Sequence, residues 1–221
     1  MKIIITGATG MVGKGAMLEC LESQEVEEVL VVSRRSVGVD HPKLKELLVE
    51  DFFNLTQIKE ELTGYDACFF SLGVSSMGKT EEEYAKITYE LTLNFANTLL
   101  PLNPSMTFIY VSGKGTDESE QGSMMWANVK GRTENELSRL GFKAFYRFRP
   151  GYIHPEKGIV SPIRTYRFFH ALFKPIYPML RKNTKSLTDT TRIGQAVIQL
   201  VKGGYEKEII DPVDINSLAA R

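Results

Sequence analysis

Thr6-Gly7-Ala8-Thr9-Gly10-Met11-Val12-Gly13 follows directly on the apolar run Lys2-Ile3-Ile4-Ile5. A strand, then glycines spaced G-x-x-G-x-x-G, then a helix start is the arrangement that seats the pyrophosphate of a dinucleotide. Gly7 has no Cβ and so permits the tight turn. Gly10 lets the backbone come close to phosphate, and Gly13 lets the helix pack on the strand. The free N–H groups and positive dipole end of that helix then face the negative charge. Gly7, Thr9, Gly10, Met11 and Val12 are the expected contacts. A P-loop is excluded on chemistry. Gly13-Lys14 would need a glycine where Ala8 stands, and a hydroxyl for magnesium where Gly15 stands.

After the second apolar run the chain reads Val32-Ser33-Arg34-Arg35-Ser36. An NAD-preferring site usually places a carboxylate here to accept hydrogen bonds from the ribose hydroxyls. Two guanidinium groups stand in its place, and arginine presents a planar fork that suits phosphate oxygens. NADP is the expected cofactor, with Arg34 as the main phosphate ligand, Arg35 or Lys14 assisting, Ser33 beside it, and NAD left open. Further along, Asp51-Phe52 is placed to border an adenine, with the acid reading its amine or serving only as a turn residue. Ser71-Leu72-Gly73 supplies the small backbone that must pass a ribose.

These residues resemble an atypical short-chain dehydrogenase/reductase of the NAD-dependent epimerase/dehydratase type. The resemblance rests on the glycine pattern, Leu72-Gly73, Ser112, Lys130 and Arg149-Pro150-Gly151. Val129-Lys130-Gly131 followed by Glu134 is most similar to the Tat-interacting oxidoreductase-like group. The resemblance covers roughly residues 1–155 in motifs and the rest only in general layout. It implies a serine that polarises a carbonyl, a tyrosine that passes the proton, and a lysine that lowers the tyrosine pKa and holds the nicotinamide ribose. Ser112 and Lys130 fit those roles, and Pro150 lies where the nicotinamide is expected.

The tyrosine is missing. Trp126 stands four residues before Lys130, on the same helix face. Indole N–H only donates and cannot cycle a proton near neutral pH. Tyr84 and Tyr152 are the candidate replacements, with His154 two residues further on, although each also reads as a packed aromatic or loop residue. Three functions therefore stand open. One is hydride transfer between NADP and a carbonyl or alcohol, and another is an epimerase or dehydratase reaction. The third is a non-catalytic NADP sensor or scaffold, which the Trp126 replacement favours.

These groups must be positioned by a doubly wound α/β sheet, because short apolar runs alternate with helical patterns. Strands are expected at Lys2–Ile5, Val29–Val32, Glu46–Glu50, Ala67–Leu72, Thr107–Val111 and Ala144–Phe148. Thr80-Glu81-Glu82-Glu83 reads as a capping box, opening a helix whose stripe is Tyr84, Ile87, Leu91, Phe95 and Thr98. Pro101 and Pro104 should stop it. Other helices are expected at Val12–Leu21, Met124–Leu140, Pro162–Leu180 and Asp189–Val201, with a last strand at Glu208–Ile210. One domain spans 1–221, divided into a cofactor-binding core at 1–155 and a substrate cover at 156–221.

The 221 residues carry 27 basic and 27 acidic side chains, 43% apolar residues and two distant cysteines, Cys20 and Cys68. The cysteines show no metal-ligand spacing and read as reduced and buried. No signal peptide or spanning run is apparent, so the expectation is a cytoplasmic protein. The charge balance hides a local excess. From Lys157 to Thr188 there are seven Lys or Arg and no Asp or Glu, interleaved with aromatics. Segment 164–182 could be a lid, the wall of an acidic or apolar substrate pocket, or a contact with a membrane surface or another protein. Nucleic acid is not expected, since the remaining chain is net acidic and carries no reading motif. The substrate is an unidentified small molecule, and pairing of chains through the two long helices stays open.

Overall fold

Ile3, Ile4 and Ile5 are each completely buried, yet they do not share one core. Alternation along a strand sends Ile3 and Ile5 to one face and Ile4 to the other. Both faces must therefore be covered, and this requires a parallel sheet between two helical layers. In the computed structural model, which describes residues 1–159 and 185–221, the sheet has that form.

Seven parallel strands run in the order β3-β2-β1-β4-β5-β6-β9. They are β1 (Lys2–Thr6), β2 (Glu28–Ser33), β3 (Leu44–Leu48), β4 (Ala67–Phe70), β5 (Thr107–Val111), β6 (Ala144–Phe148) and β9 (Ile209–Ile210). β1 lies between β2, matching Ile4 with Leu30, and β4, matching Ile4 with Cys68. Winding reverses at β1, so the crevice above β1 and β4 is where a doubly wound sheet takes its ligand.

One layer contains α1 (Met11–Glu22), α5 (Thr190–Gly203) and α6 (Pro212–Leu218). There Ile3 and Ile5 meet Ala16, Met17, Ile193 and Val197. α1 and α5 approach closely because both carry glycine at the crossing. A Cβ on Gly15 would lie 2.5 Å from Thr190 Cβ, and one on Gly194 would lie 2.4 Å from Glu19 Cβ. The other layer holds α2 (Glu81–Ala85), α3 (Leu91–Leu102) and α4 (Met125–Arg139). Here Ile4 joins Phe70, Phe95, Leu99, Phe108 and Leu137. Phe70 packs on Phe95 and Phe108 at 5.6 and 6.0 Å between ring centres, so the aromatic β4 seats the helix stripe read from the sequence.

The capping box forms as the spacing requires, with Thr80 Oγ1 accepting from Glu83 N and Glu83 Oε2 accepting from Thr80 N. Several boundaries differ from expectation. β3 begins two residues earlier than expected, at Leu44, and β4 stops at Phe70. α3 continues through Pro101 to Leu102, and the chain leaves it at Asn103. Lys86–Glu90 forms a π-helical turn between α2 and α3, and the 3.6-residue stripe gave no sign of it. Past Pro150 a second small sheet pairs β7 (Tyr152–His154) with β8 (Leu187–Asp189). The expected helix at 162–180 and the basic segment 164–182 lie outside the described residues. Among the described residues, no helix is long and apolar enough to cross a membrane.

Candidate functional site

Gly7 takes φ +72°, and a Cβ there would sit 2.6 Å from the Ser71 carbonyl carbon and oxygen. No L side chain fits that combination of angle and contact. Gly13 has the second close approach, since its Cβ would lie 2.5 Å from Gly7 O. The turn is closed by Gly10 N donating to Gly7 O at 2.8 Å. α1 then begins with Gly10 as N-cap, no capping side chain and no acidic residue in its first turn. Its positive end is therefore left for an anion. Met11 and Val12 form that first turn and are half-buried.

A groove of about 210 Å³ opens over this turn. Gly7, Thr9 and Gly10 line it together with Ser33, Arg34 and Arg35. Phe52, Leu72 and Gly73 also line it. Most of the expected nucleotide contacts thus meet around one cavity, whereas Met11, Val12 and Asp51 do not line the groove. Asp51 Oδ1 accepts from Phe53 N at 2.8 Å, so the carboxylate caps its own turn. Arg34 and Arg35 are exposed, whereas Ser33 is buried and donates its hydroxyl to Arg35 O at 2.6 Å. Ser71 lines the groove too, and it ties β4 to β1 by donating to Thr6 O at 2.7 Å. The cradle that a Cβ would fill, the uncapped helix start and the two cations fit a dinucleotide phosphate chain.

The second cluster sits where β5, β6 and α4 converge. Ser112 leaves β5 with its N–H on Phe148 O at 2.9 Å. Its hydroxyl donates to Glu134 Oε1 at 2.5 Å. Lys130 Nζ donates to the Ser112 carbonyl at 2.5 Å and approaches the Val111 carbonyl at 3.5 Å. Burial lowers the Lys130 ammonium to about 8, and the Glu134 charge opposes that fall. Gly131 explains its own place in the Lys-Gly pair. A Cβ there would lie 1.7 Å from Asp117 O, so only glycine lets the β5–α4 loop close onto the helix.

Trp126 is half-buried one turn before Lys130, with its six-membered ring over Gly115. Tyr84 is almost fully buried beside Thr88, and burial pushes its phenol up. A phenol raised in this way stays protonated at neutral pH. Tyr152 and His154 both lie in β7, with Tyr152 half-buried and His154 buried. Pro150 is buried, and its carbonyl accepts from Lys114 N at 3.1 Å. The π-turn was not foreseen. Its Thr88 carbonyl accepts from Thr92 Oγ1 at 2.7 Å and Thr133 Oγ1 at 3.4 Å, joining α3 to α4 beneath Glu134. Cys20 and Cys68 are free and buried, and burial pushes the Cys20 thiol up to about 12.

A doubly wound parallel sheet, a glycine turn between β1 and α1, and a groove over the strand ends define a Rossmann-type dinucleotide-binding fold. Residues 3–122 match the NAD dependent epimerase/dehydratase family, more than half of the chain, and the chain belongs to that family. It is 26% identical over 153 residues to Protein HTATIP2 of Rattus norvegicus, covering 68% of this chain and 62% of that protein. It is 24% identical to the mitochondrial protein FMP52 of Candida albicans, covering 97% and 94%. The resemblance to atypical short-chain dehydrogenases therefore stands.

Among solved structures, the Bordetella bronchiseptica enzyme WbmF in complex with NAD+ superposes with TM-score 0.69 at 15% identity, covering 99% of this chain and 76% of that one. A short chain dehydrogenase family protein from Francisella tularensis gives 0.65 at 13%, covering 100% and 99%. These two likenesses concern the fold. The expectation of a cytoplasmic protein is corrected, because the relatives from Meyerozyma guilliermondii, Candida albicans and Emericella nidulans are all named mitochondrial.

Proposed function

We propose that this chain binds NADP in the groove over β1 and β4 and acts on a small carbonyl or alcohol substrate beside Lys130. The groove itself carries the reading: the glycine backbone at a bare helix start and two arginines line one cavity. In that reading the turn Gly7–Gly10 and the α1 N-terminus hold the pyrophosphate, while Arg34, with Arg35 beside it, holds the 2′-phosphate. Phe52, Leu72 and Gly73 border the adenosine. Lys130 donates to the nicotinamide ribose, and Pro150 and Gly151 back the ring. The bound cofactor supplies hydride exchange. Proton transfer falls to Tyr84 or Tyr152, because Trp126 holds the place of the usual tyrosine. Mitochondrial association belongs to the same reading, on the names of the fungal relatives.

Replacing Arg34 by alanine tests the phosphate assignment. A lost charge-assisted hydrogen bond is worth roughly 1.5–3 kcal/mol. NADPH affinity should fall roughly 10- to 150-fold by fluorescence titration, with NADH changed less than about threefold. An equal loss for both coenzymes refutes the assignment.

A second reading has its own support in Trp126. With an indole in the proton-donor place and the Ser112 hydroxyl directed at Glu134, the chain would serve as an NADP sensor. NADPH binding without turnover across a panel of aldehydes, ketones and alcohols would decide for it.

A further inference from the structure

Where α4 and the β5–α4 loop meet β6 lies a chain of charged groups to which the cofactor reading assigns no role. Glu134 is completely buried on α4. An unpaired buried carboxylate is very unfavourable, so its partners must be close. Arg149, at the end of β6, donates to it through Nε at 3.0 Å to Oε1 and through Nη2 to Oε2. The same Nη2 also holds Glu118 Oε1 at 2.9 Å, and Glu118 Oε2 holds Arg147 Nη1 at 2.9 Å. The β5–α4 loop is thereby clamped to the end of β6. An ionised carboxylate only accepts hydrogen bonds, and the guanidinium fork of Arg149 donates two to this one.

Two consequences meet at the proposed substrate end. A serine hydroxyl has a single proton. Ser112 spends it on Glu134, so that proton is not offered to a substrate oxygen. Lys130 lies one turn before Glu134 on the same face of α4, at the i, i+4 spacing that brings charges together. Its Nζ is anchored on the Ser112 and Val111 carbonyls. We infer that Glu134 is the positioning residue of this site: it turns the Ser112 hydroxyl inward and sets its charge against the Lys130 ammonium. Lys130, not Ser112, is then the donor a bound ligand meets. The inference rests on the proposed site at the ends of β4–β6, but its two observables belong to the protein without cofactor.

Among the described residues, the charged and titratable groups facing Glu134 are Lys130 from its own helix, Tyr110 from β5 and Arg149 from the end of β6. Glu118 from the loop reaches it through Arg149. Burial lowers Lys130 to about 8, within reach of a titration, so its resonance reports the interaction. Protein labelled with 13Cε-lysine is titrated by NMR, with Lys130 assigned by its loss in Lys130→Met. Glu134→Gln removes the charge and keeps the size. The Lys130 midpoint should fall by about one pH unit or more, since one unit is about 1.4 kcal/mol of interaction. Glu134→Asp keeps the charge and should recover at least about half of that fall, which a purely space-filling role would not give.

In the unaltered protein, a slowly exchanging Ser112 hydroxyl proton is expected. A Lys130 midpoint unmoved in Glu134→Gln overturns the inference, as does a rapidly exchanging Ser112 hydroxyl. Should Glu134→Gln fail to fold, the Ser112 hydroxyl of the unaltered protein decides alone, with slow exchange expected and rapid exchange refuting. NADPH titration of the same samples separates the two readings. No binding by the parent protein would remove the cofactor assignment and leave the Lys130 result intact.

Discussion

Gly131→Ala sets local preference against packing, and the structure decides the sign. In an exposed helix interior, alanine is favoured over glycine by about 0.8–1 kcal/mol. Gly131 is buried in α4, and its added Cβ would lie 1.7 Å from Asp117 O, 2.5 Å from Asp117 C and 3.1 Å from Glu118 N. All three are backbone atoms with no rotamer to change. Relief to ordinary carbon contact requires a shift of about 2 Å in the loop. That loop is tied down by Asp117 N on Ala127 O at 3.1 Å and by Glu118 on Arg147 and Arg149.

Overpacking typically costs about 1–3 kcal/mol, and a rigid neighbour places this case at the upper end. Set against the helix gain, the net loss is about 2 kcal/mol. At this chain length that corresponds to a melting temperature lower by about 4–8 °C. Gly203, the last residue of α5, is the control, because its added Cβ meets nothing within 4 Å. Gly203→Ala should raise the midpoint by about 1–3 °C. Both are measured by thermal unfolding followed by circular dichroism. A Gly131→Ala protein as stable as its parent would refute the close-approach account of the Lys130-Gly131 pair.

Two further outcomes follow from the geometry. Asn103 ends α3 with Oδ1 accepting from Gly64 N and Tyr65 N, and Nδ2 donating to the Leu62 and Leu99 carbonyls. Asn103→Ala leaves the Gly64 and Tyr65 N–H groups and the Leu62 carbonyl without this partner and should lose about 2–4 kcal/mol in urea unfolding, whereas a loss below about 1 kcal/mol would contradict the assignment. Lys130 titrates near 8 when folded, below the ordinary lysine value of 10.5, so the unfolded chain binds more protons between those values. Its contribution makes stability rise with pH from about 8 toward 10.5. In Lys130→Met that part of the rise should disappear, as judged by urea midpoints at about pH 8 and 10.

Much of the nucleotide end was readable from residue types alone. Glycines at 7, 10 and 13 after an apolar strand have few other uses, and the structure shows why two of them are obligatory. Arg34 and Arg35 line the groove as their place after β2 required. Asp51 was ambiguous because a carboxylate in a loop serves a turn as readily as a ligand, and here it takes the turn. The π-turn at Lys86–Glu90 escaped notice because one extra residue per turn barely disturbs an apolar stripe. The β7–β8 pair escaped because three-residue strands far apart in sequence carry no usable period.

The sequence by itself determined the sheet, the order of its layers and the cradle, since strand alternation, helix period and glycine freedom are local properties of the chain. Only the tertiary structure decided what Ser112, Glu134 and Arg149 do. Their side chains come from three elements, and the direction of a hydroxyl proton depends on which buried charge it meets. Whether Gly131 is a packing necessity was likewise settled in space, by a loop carbonyl fourteen residues earlier in the chain that comes to rest against α4.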